Sequence, residues 1–148
     1  MTTLTKNDPC TFCGRFDNRG VSVDAVIIRE NTILLIKRGV EPYKGYWGTP
    51  GGYVSWDEST EETVAREVRE ETGLDVTSTK LVCVRSDPSR HPKQVINLVY
   101  LVEVANGQSK QGDDALDVKW FPLDALPEQL AFDHAQNIQD AIKFRNRT

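Results

Sequence analysis

Residues 52–74, GYVSWDESTEETVAREVREETGL, constrain this chain more tightly than any other stretch. Ser59 and Glu62 have the spacing of a capping box, with serine at the N-cap and glutamate three residues on. Val64, Ala65, Val68 and Thr72 then recur as one inward stripe, and Gly73 is a natural terminator, which predicts a helix over about 59–72. On that helix Glu67, Glu70 and Glu71 stand at i, i+3 and i+4 and share a face. Three carboxylates on one face repel each other unless something positive lies between them. Oxygen-only ligands suit a hard divalent cation, Mg²⁺ or Mn²⁺, which takes its remaining ligands from water and substrate phosphates. The plainer alternative is a solvated amphipathic helix with an acidic face. It leaves the positions of Gly52, Glu58 and Gly73 unexplained.

The rest of the chain reads as strands with one further helix. Val21–Arg29 and Thr32–Lys37 are rich in β-branched residues and flank the turn Glu30-Asn31, a hairpin pattern. Arg38–Tyr46 is a loop marked by Gly39, Pro42 and Gly45, and Trp47–Val54 is extended and glycine-rich. Further strands are expected at Leu81–Ser86, Val95–Val104 and Val118–Phe121, with a short turn at 123–126. A terminal amphipathic helix spans about 132–144, with Phe132, Ile138, Ala141 and Ile142 as its core side chains. Strands mixed with two main helices predict an α/β (α+β) sandwich. At 148 residues, 39% hydrophobic and 27% charged, the chain is expected to form one globular domain. Residues 1–19 are polar and read as an arm, leaving 20–148 as the domain.

No apolar run approaches the ~20 residues that span a bilayer, and the start, MTTLTKNDPC, has no apolar leader core, so a cytoplasmic protein without membrane contact is expected. A net charge of −4 argues against nucleic-acid binding and requires metal or local Arg and Lys to neutralise an anionic substrate. Three cysteines make no disulfide framework. Cys10 and Cys13 form a C-x-x-C with three readings: idle thiols, a zinc site completed by other ligands, or a redox pair. Cys83 stands alone in a predicted strand.

The spacing is also a signature: Gly52, five residues, Glu58, seven residues, Arg66-Glu67-Val68, one residue, Glu70-Glu71, one residue, Gly73-Leu74. These nine positions match the Nudix box, and the chain resembles a Nudix hydrolase. The resemblance implies a mixed sheet between helices, an α/β/α sandwich with the box as strand, loop and catalytic helix. It implies that Glu67, Glu70 and Glu71 bind Mg²⁺ or Mn²⁺, with the backbone carbonyl of Gly51 completing a site. Glu67 is the box position most often given the general-base role, although some members use an acid from a downstream loop; Glu103, Asp113 and Asp114 are candidates here. Arg66 is expected to orient the ligand face by pairing with Glu70 or with Glu58, and Glu58 itself to be partly structural, partly metal-linked. Some NADH-cleaving members carry a zinc ribbon before the domain, of which the C-x-x-C would be a remnant. Many members are homodimers, an assembly with which the apolar strands are compatible.

For the substrate, Arg38 is a candidate phosphate contact, and Tyr46 and Trp47 are candidates to stack a base or to lie in the core. The loop Ser86-Asp87-Pro88-Ser89-Arg90-His91-Pro92 is similar to the S-D-P-x-R-x-P loop of members of the ADP-ribose and NADH pyrophosphatase type, which makes Arg90 a further candidate. Those members commonly carry an acid where this chain has His91. Asp133 is expected as a helix-entry acid and His134 as a surface histidine. The leading expectation is hydrolysis of a nucleoside diphosphate linked to another moiety, ADP-ribose first. NADH or another dinucleotide and nucleoside triphosphates such as 8-oxo-dGTP are the alternatives. Two non-catalytic readings stand beside these, a nucleotide-sensing Nudix domain and a zinc-mediated adaptor. Intact box acids, and a chain too short for an attached DNA-binding domain, argue against the sensor.

Overall fold

A computed structural model describes residues 9, 11–15, 18–112 and 114–147 of the chain. Seven strands and two helices follow in the order β1 (Val21–Arg29), β2 (Thr32–Arg38), β3 (Trp47–Gly48), β4 (Gly51–Tyr53), α1 (Thr60–Thr72), β5 (Val76–Arg85), β6 (Ile96–Val104), β7 (Ala115–Pro122) and α2 (His134–Arg147), with one 3₁₀ turn at Pro88–Arg90. The strands form a mixed sheet in the order β3-β2-β1-β6-β5, with β4 also on β1 and β7 also on β2. Among the strand pairs of the described residues, β1 and β6 run parallel, in register from Val21↔Ile96 to Ile27↔Val102, and the others are antiparallel. No helix among the described residues is long and apolar enough to cross a membrane.

The period-two alternation of β1 builds both halves of the core. Val23, Ala25 and Ile27 face Val64 and Val68 of α1, joined by Leu34, Leu74, Tyr100 and Val102. Val26 points the other way, toward Ile138 and Ala141 of α2, with Ile33, Leu35 and Val99. The sheet therefore lies between the two helices, as an α/β/α sandwich. Asp24 falls on the α2 face of the same strand, where apolar burial is the rule.

Helix α1 starts and stops where its residues dictate. The Ser59 hydroxyl accepts from the Glu62 N–H, and the Glu62 carboxylate accepts from the Ser59 N–H, a complete capping box. Gly73 closes the helix at φ 75°, in the left-handed region that costs glycine little, and its N–H reaches the Arg69 carbonyl.

Several element boundaries differ from the sequence expectation. β5 begins at Val76 rather than Leu81, because pairing along β6 recruits the polar stretch Thr77–Lys80 into the ladder. β7 likewise reaches from Ala115 to Pro122 along β2. The extended segment 47–54 divides at Thr49-Pro50, where the chain passes from its partner β2 to its partner β1. Helix α2 begins at His134 and excludes Phe132, whose φ of 49° is not helical, so Phe132 is half-buried and not a core residue. Cys10 and Asp113 lie outside the described residues, while Cys13 is exposed with a free thiol. From the arm, Arg19 donates to the carbonyls of Gln94 and Ser86 at 2.6 and 2.7 Å.

Candidate active site

The acidic end of the site is organised by Arg66. Its Nε and Nη2 donate to the two oxygens of Glu58 at 2.7 and 3.0 Å, a bidentate pair that binds the helix to the loop before it. Nη1 reaches Glu67 at 2.9 Å and Glu70 at 3.3 Å, and Nη2 also donates to the Tyr53 carbonyl at 3.2 Å. The guanidinium holds the Glu58 carboxyl down at a pKa of about 2, against a smaller opposing effect of burial, with the Ser55 N–H assisting. Glu58 in turn keeps the Arg66 pKa raised. One residue thus joins β4, the loop and the ligand-bearing face of α1.

Glu67 and Glu71, one turn apart, meet behind β4. Glu71 accepts from the Gly51 N–H at 3.2 Å and interacts with Glu67. Burial pushes the Glu71 carboxyl far above the usual carboxylate range, and the charges of Glu67 and then Asp24 push the same way. Burial also raises Glu67, with Arg66 opposing. A buried pair of carboxyls in contact needs either a proton or a cation between them. Gly52 leaves room for the pair: a Cβ there would come within 2.3 Å of Glu67 Oε1. This donor set, carboxylate oxygens beside a glycine backbone, fits a hard divalent cation such as Mg²⁺ or Mn²⁺.

The three box acids do not converge equally. The Glu67 side chain is 14% exposed, whereas that of Glu70 is 58% exposed and turned to Arg66. Among the described residues no group of three or more His, Cys, Asp and Glu side chains is gathered tightly enough to hold a metal by itself. The expectation of three acids sharing a face is met by α1; the expectation that all three point at one place is not.

A cleft of about 1010 Å³ opens from Glu71, Gly51 and Gly52 and runs past Asp24 and Asn97 to Arg38, Tyr43, Arg90, His91, Phe132 and His134. Its floor is a buried polar network. Asp24 Oδ2 accepts from Asn97 at 2.6 Å and Asn137 at 3.3 Å. His134 Nδ1 accepts from the Thr49 N–H at 3.1 Å, so the ring proton sits on Nε2, 3.4 Å from the same Asp24 oxygen. Arg85 ties the network to α2 through Asn137 at 2.6 Å and an ion pair with Asp140. His134 is therefore buried and structural, in contrast to the surface position expected for it. Asp24 is the residue that sequence reasoning missed: a lone acid in the apolar strand VSVDAVIIR was the available signal.

Of the candidate substrate residues, the fold brings Arg38 and Arg90 to the cleft and leaves Tyr46 and Trp47 outside its lining. Arg38 Nε donates to the Pro42 carbonyl at 2.8 Å, with its guanidinium 5.1 Å from the Phe132 ring centre. Arg90 is engaged in a bidentate pair with Asp133 at 2.9 and 3.0 Å, so Asp133 receives an arginine at the start of α2. The Trp47 ring packs edge-on against Phe121 at 4.8 Å in the α2-side core, and Tyr46 packs on Tyr43. Their positions beside a glycine turn could not reveal which side of the sheet they would face. Glu103 is exposed on β6 and Asp114 is exposed, and neither lines the cleft.

The model of the NUDIX domain matches residues 18–141. The chain is 45% identical over 127 residues to an ADP-ribose pyrophosphatase of Methanocaldococcus jannaschii, covering 85% of this chain and 75% of that protein. Among solved structures, a MutT/nudix family protein from Enterococcus faecalis superposes with a TM-score of 0.81 at 29% identity, over 90% of this chain and 64% of the other. The NUDIX domain of Shewanella oneidensis NrtR, complexed with ADP ribose, superposes with a TM-score of 0.76 at 30% identity, over 88% and 90%. A box complete from Gly52 to Leu74, set on this sandwich and covered by the family's own sequence pattern, means that the chain belongs to the Nudix hydrolase family.

Proposed function

We propose that this protein hydrolyses the diphosphate bond of ADP-ribose, releasing AMP and ribose 5-phosphate with the aid of Mg²⁺ or Mn²⁺. The observation that carries this reading is one continuous cleft of about 1010 Å³ that joins the Glu71–Gly51–Gly52 corner to Arg38 and Arg90. The likeness to the Methanocaldococcus jannaschii ADP-ribose pyrophosphatase supports the choice of substrate.

Glu67, Glu71 and the Gly51 carbonyl would hold the cation, with Glu70 at the exposed rim. The bound cation supplies charge neutralisation for the diphosphate oxygens and acidifies water. Arg66 keeps Glu67 in place, and a misplacement of about 1 Å there is costly because catalysis depends on near-attack geometry. Glu67 is the proposed acceptor of the proton from the attacking water, whose oxygen forms the new P–O bond as the bridging P–O bond breaks. Arg38 is the proposed phosphate contact, since it is a cation that lines the same cleft as the Glu71–Gly51 corner. Arg90 contributes by holding Asp133 and the loop 86–92 and not by direct contact.

Residues 1–19 are taken as an arm and 20–148 as the catalytic domain, in keeping with a family match that begins at residue 18. A cytoplasmic location and a homodimer complete the reading; light scattering on the purified protein tests the dimer. The central test is a panel of ADP-ribose, NADH and 8-oxo-dGTP with Mg²⁺ or Mn²⁺, reading AMP or pyrophosphate release. ADP-ribose should lead, and exhaustive chelation should abolish turnover. Undiminished hydrolysis after chelation, or a preference for the triphosphate, would refute the proposal.

A further inference from the structure

Resting on the reading of the substrate as a nucleoside diphosphate derivative, we propose that the Thr49 hydroxyl is a specificity-determining group, which takes a hydroxyl of the ribose 5-phosphate unit beside the diphosphate.

The buried polar groups of the cleft floor are hydrogen-bonded to one another, with one exception. Ser22 Oγ donates to Asn97 Oδ1 at 2.8 Å, Asn97 and Asn137 donate to Asp24, and His134 Nδ1 accepts from the Thr49 N–H. The Thr49 hydroxyl alone, among the buried side-chain nitrogen and oxygen atoms of the described residues, has no partner. Thr49 is 4% exposed and lines the cleft. A buried hydroxyl left unpaired carries the full cost of its desolvation, which valine, with nearly the same shape, would not. Packing therefore does not account for threonine at this position, whereas a ligand that completes the hydrogen bond does.

The hydroxyl stands on a fixed mount. The Thr49 N–H is held by His134, and the next carbonyl, that of Pro50, accepts from the Ala25 N–H at 2.8 Å. Gly48 lies close beneath the imidazole, where a Cβ would come within 2.7 Å of Nδ1. A turn about χ1 exchanges the threonine methyl and hydroxyl. A ligand can thus meet the oxygen through a side-chain rotation, with the backbone in place.

Its surroundings select the chemistry of that ligand. Thr49 precedes Gly51 by two residues, a span of at most about 7 Å between Cα atoms. A diphosphate at the acidic corner would bring an attached sugar ring over Thr49. Asp24, paired across the strands with Gly51 and 3.4 Å from His134 Nε2, puts an acid on the same floor. That carboxylate disfavours a second phosphate and tolerates a neutral hydroxyl. A threonine hydroxyl both donates and accepts, as a sugar hydroxyl does. Both riboses of ADP-ribose adjoin the diphosphate, and AMP and ribose 5-phosphate present them separately.

The test is calorimetric titration of the full chain with AMP, ribose 5-phosphate and inorganic phosphate, beside thermal unfolding without ligand. Thr49→Val keeps the shape and removes the hydroxyl. It should weaken AMP, ribose 5-phosphate or both roughly tenfold, the scale of one lost hydrogen bond. Inorganic phosphate should bind as before, and the ligand-free Tm should stay level or rise. The sugar phosphate that loses affinity identifies the ribose. Thr49→Ser should hold that affinity within about threefold of the unaltered protein, because it retains the hydroxyl. The 2-deoxy or the 3-deoxy form of that sugar phosphate should bind the unaltered protein more weakly than its parent, and Thr49→Val no more weakly, the coupling expected of two groups in contact. Unchanged affinity for both sugar phosphates, a loss shared by inorganic phosphate, an equal loss in Thr49→Ser, or a lower ligand-free Tm in Thr49→Val overturns the assignment. The expected losses without hydrolysis of any nucleoside diphosphate derivative leave Thr49 in its role and remove the proposed activity. Hydrolysis of ADP-ribose with both kinetic constants untouched by Thr49→Val removes the role and leaves the activity.

Discussion

The two ends of the cleft are built in opposite ways. The acidic end comes almost whole from residues 51–71, with Arg66 bonding to Glu58, Glu67 and Glu70 within one helix and its preceding loop. The aromatic end comes from residues 43, 91 and 132 and is held by pairs that close long loops, such as Arg90–Asp133 across 43 positions. On the proposed function, the chemistry falls to a capped helix and recognition to loops that a rigid sheet brings together. The difference implies that the ends can be damaged separately, one through kcat and the other through KM.

The largest effect should follow Glu71→Gln, which keeps the shape of the corner and removes a carboxylate. Turnover is expected to fall by at least ~10²-fold with an unchanged circular-dichroism spectrum. Near-normal kcat in that variant would end the assignment of this corner to catalysis. Gly52→Ala comes next. Its new Cβ would meet the Glu67 carboxylate at 2.3 Å, so the ligand must move, and kcat should drop on the order of tenfold or more while KM changes little.

Arg90→Ala probes the other end. It strips Asp133 of its bidentate partner and should cost about 2 kcal/mol, a Tm lower by roughly 6 °C. Steady-state kinetics should show a raised KM and a kcat within about twofold; a collapse of kcat would mean that the ends are not independent. The smallest effect belongs to Ser59→Ala, which removes half of the capping box and should cost about 1 kcal/mol by denaturant titration, leaving both kinetic constants in place.

Much of the acidic end was legible because its information is local. Serine at 59, glutamate at 62 and glycine at 73 act on backbone groups within a few positions of themselves, and helical periodicity alone puts Glu67 and Glu71 on one face. The orientation of Glu70 was not legible, since it depends on whether Arg66 takes it or leaves it to the cleft. Trp47 stood open between base and core, and Phe132 was expected in the core. A tryptophan beside a glycine turn serves a base or a core equally well, and contact with Phe121 of β7 decides it. Phe132 fits the apolar stripe of α2 by periodicity, but the helix starts two residues later and frees the ring for the cleft.

The order of residues in the chain by itself determined the family, the helix that carries the acids, the strand β1 and the chemistry those acids can support, because each of these follows from residue type and spacing along a regular element. Only the tertiary structure decided that Asp24, Asn97, Asn137 and His134 share one buried network, and that Tyr43, His91 and Phe132 share one wall. Those partners lie tens of residues apart, and they meet through the pairing of β1 with β6 and the packing of α2 on that sheet, geometry that no local pattern encodes.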